Sequence, residues 1–438
     1  MDASLSSAKR PAIWRHFAGR LAIDAALCLF LGFGIALAYG IFGPIQEAYN
    51  QMREDSLNGT DFTMLYAGSK NVVSSERSHT YELDVVVGSI LQEYSLQPEQ
   101  AGRVNSIWLR YYNPPVFLFL LSPLTLLDLH VAYLAAIAIN VAATGALVFL
   151  LGGLFRWRHP HTMLVGAAVL GFVPTYWALY HFQPTVLIAV ALTGAFMALE
   201  KGRGGLASAA LMFALAKPQW LAASSAVAVR LRPRMALPLG GATIAVGFLP
   251  FLLIGPGSIA DYVDLATSRG ISDLSDVRYA AGLLSWPGFF WALSGDVQTE
   301  ASLAMTALSL AAFALVLLRG DRYLSWTAAI CTTLIAVPHS HAQEWILLAP
   351  AAAILLARPG PPSGFAVSAV LSVCAYLAVN SWLFARSAVL DGERSLYLAT
   401  PAALLIVLWC AVLPLLERRR WSGPIPSPWT PSPAGQTA

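Results

Sequence analysis

Six short groups of polar residues stand out in an otherwise apolar chain, and each adjoins a long uncharged run. They are Gly59-Thr60-Asp61-Phe62, Arg110-Tyr111-Tyr112-Asn113-Pro114-Pro115, Tyr180-His181-Phe182-Gln183, Lys217-Pro218-Gln219, Arg278-Tyr279 and His339-Ser340-His341-Ala342-Gln343-Glu344. Together they offer carboxylates, cations and aromatic rings. Cations can hold a phosphate, aromatic rings can stack on a sugar or on the first isoprene units of a lipid, and a carboxylate can accept a proton.

The composition decides which kind of protein must position these groups. Of the 438 residues, 57% are hydrophobic and only 12% are charged, whereas a typical soluble domain is about 25% charged. A water-soluble enzyme is therefore excluded. Nucleic-acid binding is excluded too, because the net charge is only +3 and the sequence has no basic stripe. A membrane span uses about 20 apolar residues, so the chain predicts an all-α polytopic membrane protein with about 11–13 transmembrane helices.

The apolar runs also predict two interruptions of the helical bundle. The runs lie near 25–43, 131–155, 162–180, 182–199, 204–216, 218–229, 235–254, 301–318, 323–338, 345–357, 364–385 and 396–416. Lys217-Pro218 joins two short runs and predicts a hairpin inside the bundle. Residues 114–127 predict an interfacial or re-entrant helix broken at Ser122-Pro123, so that 112–155 crosses the membrane once. If 114–127 also crosses, Arg156 and Arg158 lie on the outer side.

Charge asymmetry sets the predicted orientation, because cytoplasmic loops carry an excess of Lys and Arg. With residues 1–20 in the cytoplasm, 17 of the 27 Lys and Arg lie on that side. The loops near 44–113 and 256–300 are then outside, and the aromatic stretch Trp286–Trp291 in the second predicts an interfacial helix. All six polar groups fall at the outer ends of spans, where we expect them to converge on one cavity. The Pro- and Ser-rich residues 421–438 predict a disordered cytoplasmic tail.

Signals for a cofactor are weak in this sequence. The four cysteines lie far apart in apolar stretches without zinc-ligand spacing, so neither a zinc site nor a disulfide framework is expected. They are Cys28, Cys331, Cys374 and Cys410. His339, His341 and Glu344 are compatible with a divalent cation, but two alternating histidines and one acid are weak evidence for a metal site. We therefore expect no resident cofactor.

The order of several short motifs resembles a known family. The motifs are Asp61-Phe62 followed by Tyr66-Ala67, then Tyr112-Asn-Pro-Pro-Val-Phe-Leu-Phe-Leu-Leu-Ser-Pro-Leu, His181-Phe-Gln-Pro before a span, and Lys217-Pro-Gln followed by a basic loop. In this order they resemble glycosyltransferase family 87, the polyprenol-phosphate-mannose-type transferases with a GT-C fold, over roughly residues 20–350. The GT-C-like domain would then occupy residues 21–416. Asn113 interrupts the Tyr-Pro-Pro that is usual in the family.

The resemblance implies an inverting, integral-membrane glycosyltransferase. It would move a sugar, often mannose, from a polyprenyl-phosphate donor to a hydroxyl of a glycan or glycolipid acceptor, at the outer face of a bacterial plasma membrane. Asp61 matches the aspartate of the family's first outer loop and is assigned the role of the base. The remaining candidates divide into a phosphate group and a sugar or lipid group. They are Lys217, Arg278, His339 and His341 for the donor phosphate, and Tyr66, Tyr112, His181, Gln183 and Glu344 for the sugar or lipid.

Simpler alternatives exist for the residues and for the whole protein. Asp61 also suits the cap of a helix beginning at Phe62, and Lys217 also suits a snorkelling position at a helix end. Arg278 also suits a surface ion pair with a nearby aspartate. For the protein, the alternative is a transporter or flippase of a lipid-linked saccharide. Transporters usually place polar groups at the membrane midplane, whereas here the midplanes are apolar, which favours the enzyme.

Overall fold

The computed structural model describes residues 61–93, 113–155, 165–166, 168–265, 283–388 and 398–420. Its α-helices are α1 (Asp61–Asn71), α2 (Leu83–Glu93), α3 (Pro115–Leu121), α4 (Leu129–Phe155), α5 (Val173–Tyr180), α6 (Thr185–Glu200), α7 (Gly204–Met212), α8 (Gln219–Leu231), α9 (Ala236–Ile254), α10 (Gly257–Asp264), α11 (Trp286–Ser294), α12 (Thr299–Arg319), α13 (Arg322–Ala336), α14 (Leu348–Ala357), α15 (Pro362–Ala388) and α16 (Ala399–Arg420). Short 3-10 helices cover Ser75–His79, Ser122–Leu126, Phe213–Ala216, Pro233–Met235 and Ala342–Leu347. The all-helical architecture is confirmed.

Five helices among the described residues are long and apolar enough to cross a membrane. They are Leu129–Phe155, Pro233–Ile254, Thr299–Arg319, Pro362–Asn380 and Ala399–Glu417. Their outer faces carry large exposed apolar side chains such as Leu237, Phe149 and Leu318. Apolar surface on this scale is unfavourable in water and suits contact with lipid, so the chain is a multi-pass membrane protein. The predicted run 25–43 lies outside the described residues.

The two predicted interruptions are present in the structure. Pro115 occupies the first position of α3, where its missing N–H is harmless, and the helix tightens to a 3-10 turn at Ser122-Pro123 before α4 begins. The Lys217-Pro218 hairpin is confirmed as well: the 3-10 helix after α7 ends at Ala216, and α8 begins at Gln219. The aromatic stretch near residue 286 forms the short helix α11, as predicted.

Three helices connect the two ends of the bundle. The helices α6, α8 and α13 have 16, 13 and 15 residues, which corresponds to about 20–24 Å of helix at 1.5 Å per residue. The polar groups at Gln183, Lys217 and His341 lie at one end of these helices. The opposite end, called the ionic end below, contains six charged residues that form ion pairs or hydrogen bonds with other elements. They are Glu200, Arg230, Asp321, Arg322, Arg358 and Glu417.

Arg358 holds three helix termini together at the ionic end. Its guanidinium donates from Nε to Asp321 Oδ2 at 2.6 Å and forms two bonds to Glu417, at 2.9 and 2.7 Å. Asp321 also caps α13 by accepting hydrogen bonds from the backbone N–H groups of Tyr323 and Leu324. A bidentate pair between Arg and a carboxylate combines charge with fixed geometry. The start of α13 and the end of α16 are therefore joined to the α14–α15 connection.

A second set of contacts joins α6 and α8 to the same end. Arg322 pairs with Glu200 at the end of α6, and Arg230 near the end of α8 donates to Ser325 Oγ and to the Gly320 carbonyl, both at 2.8 Å. Several basic loops that were predicted to share one side of the membrane therefore lie together in the structure. Which side of the membrane they face stays a prediction.

We expect cysteines placed at opposite ends of the bundle to label from opposite sides of the membrane. In a background with the native cysteines replaced by alanine, Glu76→Cys should react with a membrane-impermeant maleimide from the outside. Lys201→Cys should react only after permeabilisation. Both side chains are exposed, so burial does not limit the reaction. Reaction of both cysteines from the same side would contradict the orientation inferred from charge asymmetry.

Candidate active site

Asp61 lies at the first residue of α1 and receives contacts from a different part of the chain. Gln183 Nε2 donates a hydrogen bond to Asp61 Oδ2. His181 Nδ1 lies 3.6 Å from Asp61 Oδ1, an ion-pair distance that exceeds a hydrogen bond. The side chains of Asp61 and His181 keep 32% and 23% of their surface exposed. The carboxylate is thus anchored by an amide and remains accessible to a substrate.

The turn that carries His181 and Gln183 is a helix C-terminus of unusual composition. The Gln183 N–H bonds to the Ala178 carbonyl at 2.9 Å and the Phe182 N–H to the Leu179 carbonyl at 3.2 Å, which is the Schellman pattern. In that pattern the residue that donates the inner hydrogen bond is left-handed, and this position is usually taken by glycine. Here it is taken by Phe182, with φ of 51°, so the backbone is strained at the point where it presents two site residues.

Aromatic packing holds this strained turn in place. The Phe182 ring meets the Phe62 ring edge-on at 5.3 Å, and Phe62 follows Asp61 directly. Both side chains are buried. From α4, the Asn140 amide nitrogen lies 3.3 Å from the Ala178 and Gln183 carbonyls, and donates to both. The contact between Gln183 and Asp61 is thus set by a buried scaffold rather than by the two polar groups alone.

Lys217 and Glu344 form a second polar contact at the same end of the bundle. Lys217 lies in the hairpin turn before α8, and its Nζ donates to Glu344 Oε1 at 2.6 Å. The side chains are only 13% and 3% exposed. Removing one partner of a buried pair leaves an uncompensated charge and is strongly destabilising. The hairpin turn and the 3-10 helix Ala342–Leu347 are therefore tied together by charge.

Asn113 supports the candidate site, although the sequence analysis gave it no role there. Its side-chain amide donates to the Ala216 carbonyl at 3.0 Å, one residue before Lys217. Its own backbone carbonyl accepts from the Tyr81 hydroxyl at 3.1 Å. The residue that interrupts the Tyr-Pro-Pro pattern therefore supports the turn that presents Lys217. The available signal in the sequence was an amide residue between Tyr112 and two prolines.

The loop that carries His341 is pinned by backbone contacts. Leu283 and His341 form an antiparallel bridge, the Leu284 N–H bonds to the Ser340 carbonyl at 2.7 Å, and Ser285 Oγ donates to the Pro338 carbonyl at 2.8 Å. His339 lies in the same loop and is half-buried. The segment before α11 therefore fixes the position of both histidines relative to the end of α13.

The electrostatics of Asp61 link these elements into one group. Burial is the largest influence and by itself raises the pKa of the Asp61 carboxyl. Attraction to His181, His341 and Lys217 acts in the opposite direction and leaves the pKa of Asp61 below its usual value. Asp61 is therefore ionised at neutral pH. We call these side chains the acid–cation cluster: Asp61, His181, Lys217, His341 and Glu344.

The other candidates from the sequence lie in different surroundings. Tyr66 is buried, and its hydroxyl donates to the Leu127 carbonyl at 2.7 Å, so the structure shows a packing contact between α1 and the segment before α4. A sugar contact for Tyr66 stays a prediction. Tyr112 and Arg278 lie outside the described residues. Within the described ranges, no group of three or more His, Cys, Asp or Glu side chains is arranged to hold a metal ion.

Two aromatic residues beside His181 extend the candidate site. The Trp177 ring stacks on the His181 ring at 5.1 Å with an interplanar angle of 12°. The Tyr180 ring meets the same imidazole edge-on at 4.7 Å. The spacing of Trp177 and His181 by four residues places them on one helix face and was a readable signal in the sequence. Both aromatic rings are half-buried, so the surface next to the acid–cation cluster suits an apolar or sugar face.

We expect glycine to be better tolerated than alanine at position 182. Both variants lose the buried Phe182 ring, which costs about 3–5 kcal/mol. Only Phe182→Gly relieves the left-handed strain of about 1–2 kcal/mol, so its melting temperature in detergent should exceed that of Phe182→Ala. Phe62 lies inside α1 and provides the matched control. There Phe62→Ala should be more stable than Phe62→Gly by about 1 kcal/mol, and the same order at both positions would contradict the strain.

Comparison with known proteins identifies the family of the chain. The sequence model of Glycosyltransferase family 87 matches residues 111–339, just over half of the chain. No curated protein and no solved structure shows significant similarity to it. The matched region contains the His181–Gln183 turn and the Lys217 hairpin. The motifs and the helical membrane architecture agree with this match, and the chain belongs to glycosyltransferase family 87, a family of polytopic GT-C membrane glycosyltransferases.

Proposed function

We propose that the protein transfers a sugar, mannose being the first candidate, from a polyprenyl-phosphate donor to a hydroxyl group of a glycan or glycolipid. The reaction would take place at the outer face of a bacterial plasma membrane. The observation that carries the proposal is a partly exposed Asp61 that contacts Gln183 and His181, with Lys217 and His341 near enough to help lower its pKa. Membership of a transferase family decides against the alternative of a transporter or flippase.

Asp61 is the base in this proposal. Gln183 occupies Asp61 Oδ2, so the acceptor hydroxyl would donate its hydrogen bond to Oδ1. As the acceptor oxygen bonds to the anomeric carbon, its proton passes to Asp61, and the bond from the anomeric carbon to the phosphate oxygen breaks. The lipid phosphate leaves with that electron pair, and the configuration inverts. A lowered carboxyl pKa is compatible with this role, because glycosyl transfer has an oxocarbenium-like transition state in which proton transfer accompanies bond formation.

Lys217 and the histidines supply positive charge for the departing phosphate. An ammonium group has three N–H donors, and Glu344 accepts a hydrogen bond from Lys217, so the geometry leaves donors for a phosphate oxygen. With neutral histidines, the acid–cation cluster holds two carboxylates against one ammonium group. A proton on one histidine would only neutralise this excess negative charge, so the N–H donors of Lys217 and of the imidazoles must contribute to phosphate binding as well.

The depth of the site supports a lipid-linked donor. The acid–cation cluster lies about 20–24 Å along α6, α8 and α13 from the ionic end, whereas the hydrocarbon core of a bilayer is about 30 Å thick. If the ionic end lies at one membrane interface, the cluster lies below the opposite interface. A polyprenyl phosphate can present its phosphate there from within the membrane, while a nucleotide sugar would have to leave water.

We expect Asp61→Asn to abolish most of the transfer activity. Asparagine keeps the shape of the side chain but cannot accept a proton at neutral pH, and a general base contributes about 10²–10⁴ to the rate. Purified protein should be assayed with radiolabelled polyprenyl-phosphate mannose, and the labelled lipid and glycan products should be separated. Asp128→Asn is the matched control, because Asp128 accepts a hydrogen bond from the Val131 N–H near the start of α4 and asparagine caps equally well.

The pH dependence of kcat tests whether Asp61 or its neighbour His181 is the base. A lowered carboxyl pKa means that Asp61 stays ionised on the acid side, so kcat at saturating donor should not decline between pH 8 and about 5. An acid limb in this range that disappears in His181→Gln would assign the base to His181. Retention of more than about a tenth of the activity in Asp61→Asn would also reject Asp61 as the base.

The Lys217–Glu344 pair can be tested for separate structural and catalytic contributions. Lys217→Met should destabilise the protein by about 3–5 kcal/mol, because it leaves the buried Glu344 carboxylate unpaired. The double variant Lys217→Met/Glu344→Gln removes both charges and should recover most of the stability, measured by melting in detergent. It should still use the donor poorly, with a raised KM. Recovery of both stability and wild-type KM would show that the pair is only structural.

A further inference from the structure

We propose that a cavity at the ionic end binds the phosphate headgroup of an anionic phospholipid. The cavity has a volume of about 390 Å³ and lies between the start of α7 and the 3-10 turn that precedes α9. Its lining includes Gly204, Gly205, Arg232, Arg234, Met235 and Pro238. It is distant from the acid–cation cluster, because the 13 residues of α8 separate Lys217 at one end of that helix from Arg232 at the other. The inference therefore stands independently of the proposed reaction.

The charges around the cavity favour an anion. Among the described residues, neither Arg232 nor Arg234 forms an ion pair with a carboxylate. Within the described ranges, Arg232 donates to the Leu199 carbonyl at a long 3.5 Å, and Arg234 is exposed. The single acid of the neighbouring loops, Glu200, is bound to Arg322. The two guanidinium groups are therefore available for an external phosphate, the group that arginine binds best.

One glycine gives Arg232 its position beside the cavity, and another leaves open space for a headgroup. Gly202 has φ of 76°, and a Cβ at this position would lie 3.3 Å from the Arg232 guanidinium nitrogen, so the arginine lies directly over the glycine backbone. A Cβ built on Gly205 meets nothing within 4 Å. The first turn of α7 also borders the cavity, and its N-cap residue provides no side-chain cap, so its dipole adds to the attraction for an anion.

The surface next to the cavity favours a lipid over free phosphate. Leu206 in α7 is 56% exposed and Leu237 in α9 is 88% exposed, and the candidate span Pro233–Ile254 begins at the cavity itself. A phospholipid would place its phosphate on Arg232 and Arg234 and its acyl chains along these apolar side chains. Basic pockets between membrane helices are suited to such headgroups. Inorganic phosphate would contact the two arginines but not the apolar side chains.

The proposal is tested by the melting temperature of the full-length protein in a neutral detergent. Short-chain phosphatidylglycerol should raise the melting temperature in a saturable way, because a ligand that binds the folded state stabilises it. Phosphatidylcholine of the same chain length and inorganic phosphate should not. Arg232→Gln/Arg234→Gln should raise the half-saturating lipid concentration roughly thirtyfold. Gly205→Leu should remove the shift by filling the open space.

Arg319→Gln is the matched control for general attraction to an anionic surface. It removes an exposed arginine at the same end of the bundle but outside the cavity, and it should respond to phosphatidylglycerol like the wild type. A wild-type response of the double arginine variant would overturn the proposal, and this variant decides if Gly205→Leu fails to fold. An equal response to phosphatidylcholine would also overturn it. Equal stabilisation by inorganic phosphate would assign the cavity to free phosphate.

Discussion

The buried ion pair between Lys217 and Glu344 is the contact around which the candidate active site is arranged. An unpaired buried ammonium group would be strongly unfavourable. The hairpin turn therefore has to contact the 3-10 helix Ala342–Leu347, which supplies the Glu344 carboxylate. That 3-10 helix follows the His341 loop, and the hairpin turn lies beneath Asn113. The ion pair thus brings the His341 loop, the Asn113 amide and the start of α8 close together.

The second requirement is that the neighbouring turn present His181 and Gln183 toward Asp61. It is met at a conformational cost, because Phe182 adopts a left-handed conformation that glycine would adopt more readily. The phenyl ring compensates by packing on Phe62, the residue after Asp61. Strain in the backbone and contact in the core therefore act on the same two segments. Such strain is expected where a site must be held in one geometry.

The two ends of the bundle use charge in different ways. At the ionic end, Arg358 and Arg322 are engaged with carboxylates and fix the helix termini. At the opposite end, one cation is paired while histidines and an accessible carboxylate surround it. The first arrangement fixes helix termini relative to one another, and the second leaves a carboxylate and imidazoles that can exchange protons with a substrate. The separation agrees with the lipid-linked donor proposed above.

Composition and local pattern alone determined the membrane class, the hairpin at Lys217-Pro218, the break at Ser122-Pro123 and the family resemblance. The first three features depend on hydropathy and on the backbone restrictions of proline, which act over a few residues, and the resemblance depends on the order of short motifs. Only the tertiary structure decided that Glu344 pairs with Lys217 from 127 residues away and that Gln183 binds Asp61 from 122 residues away. It likewise decided that Tyr66 contacts Leu127 and that Asn113 supports the hairpin. Partners so distant in sequence leave no local periodicity, because their pairing depends on how whole helices pack.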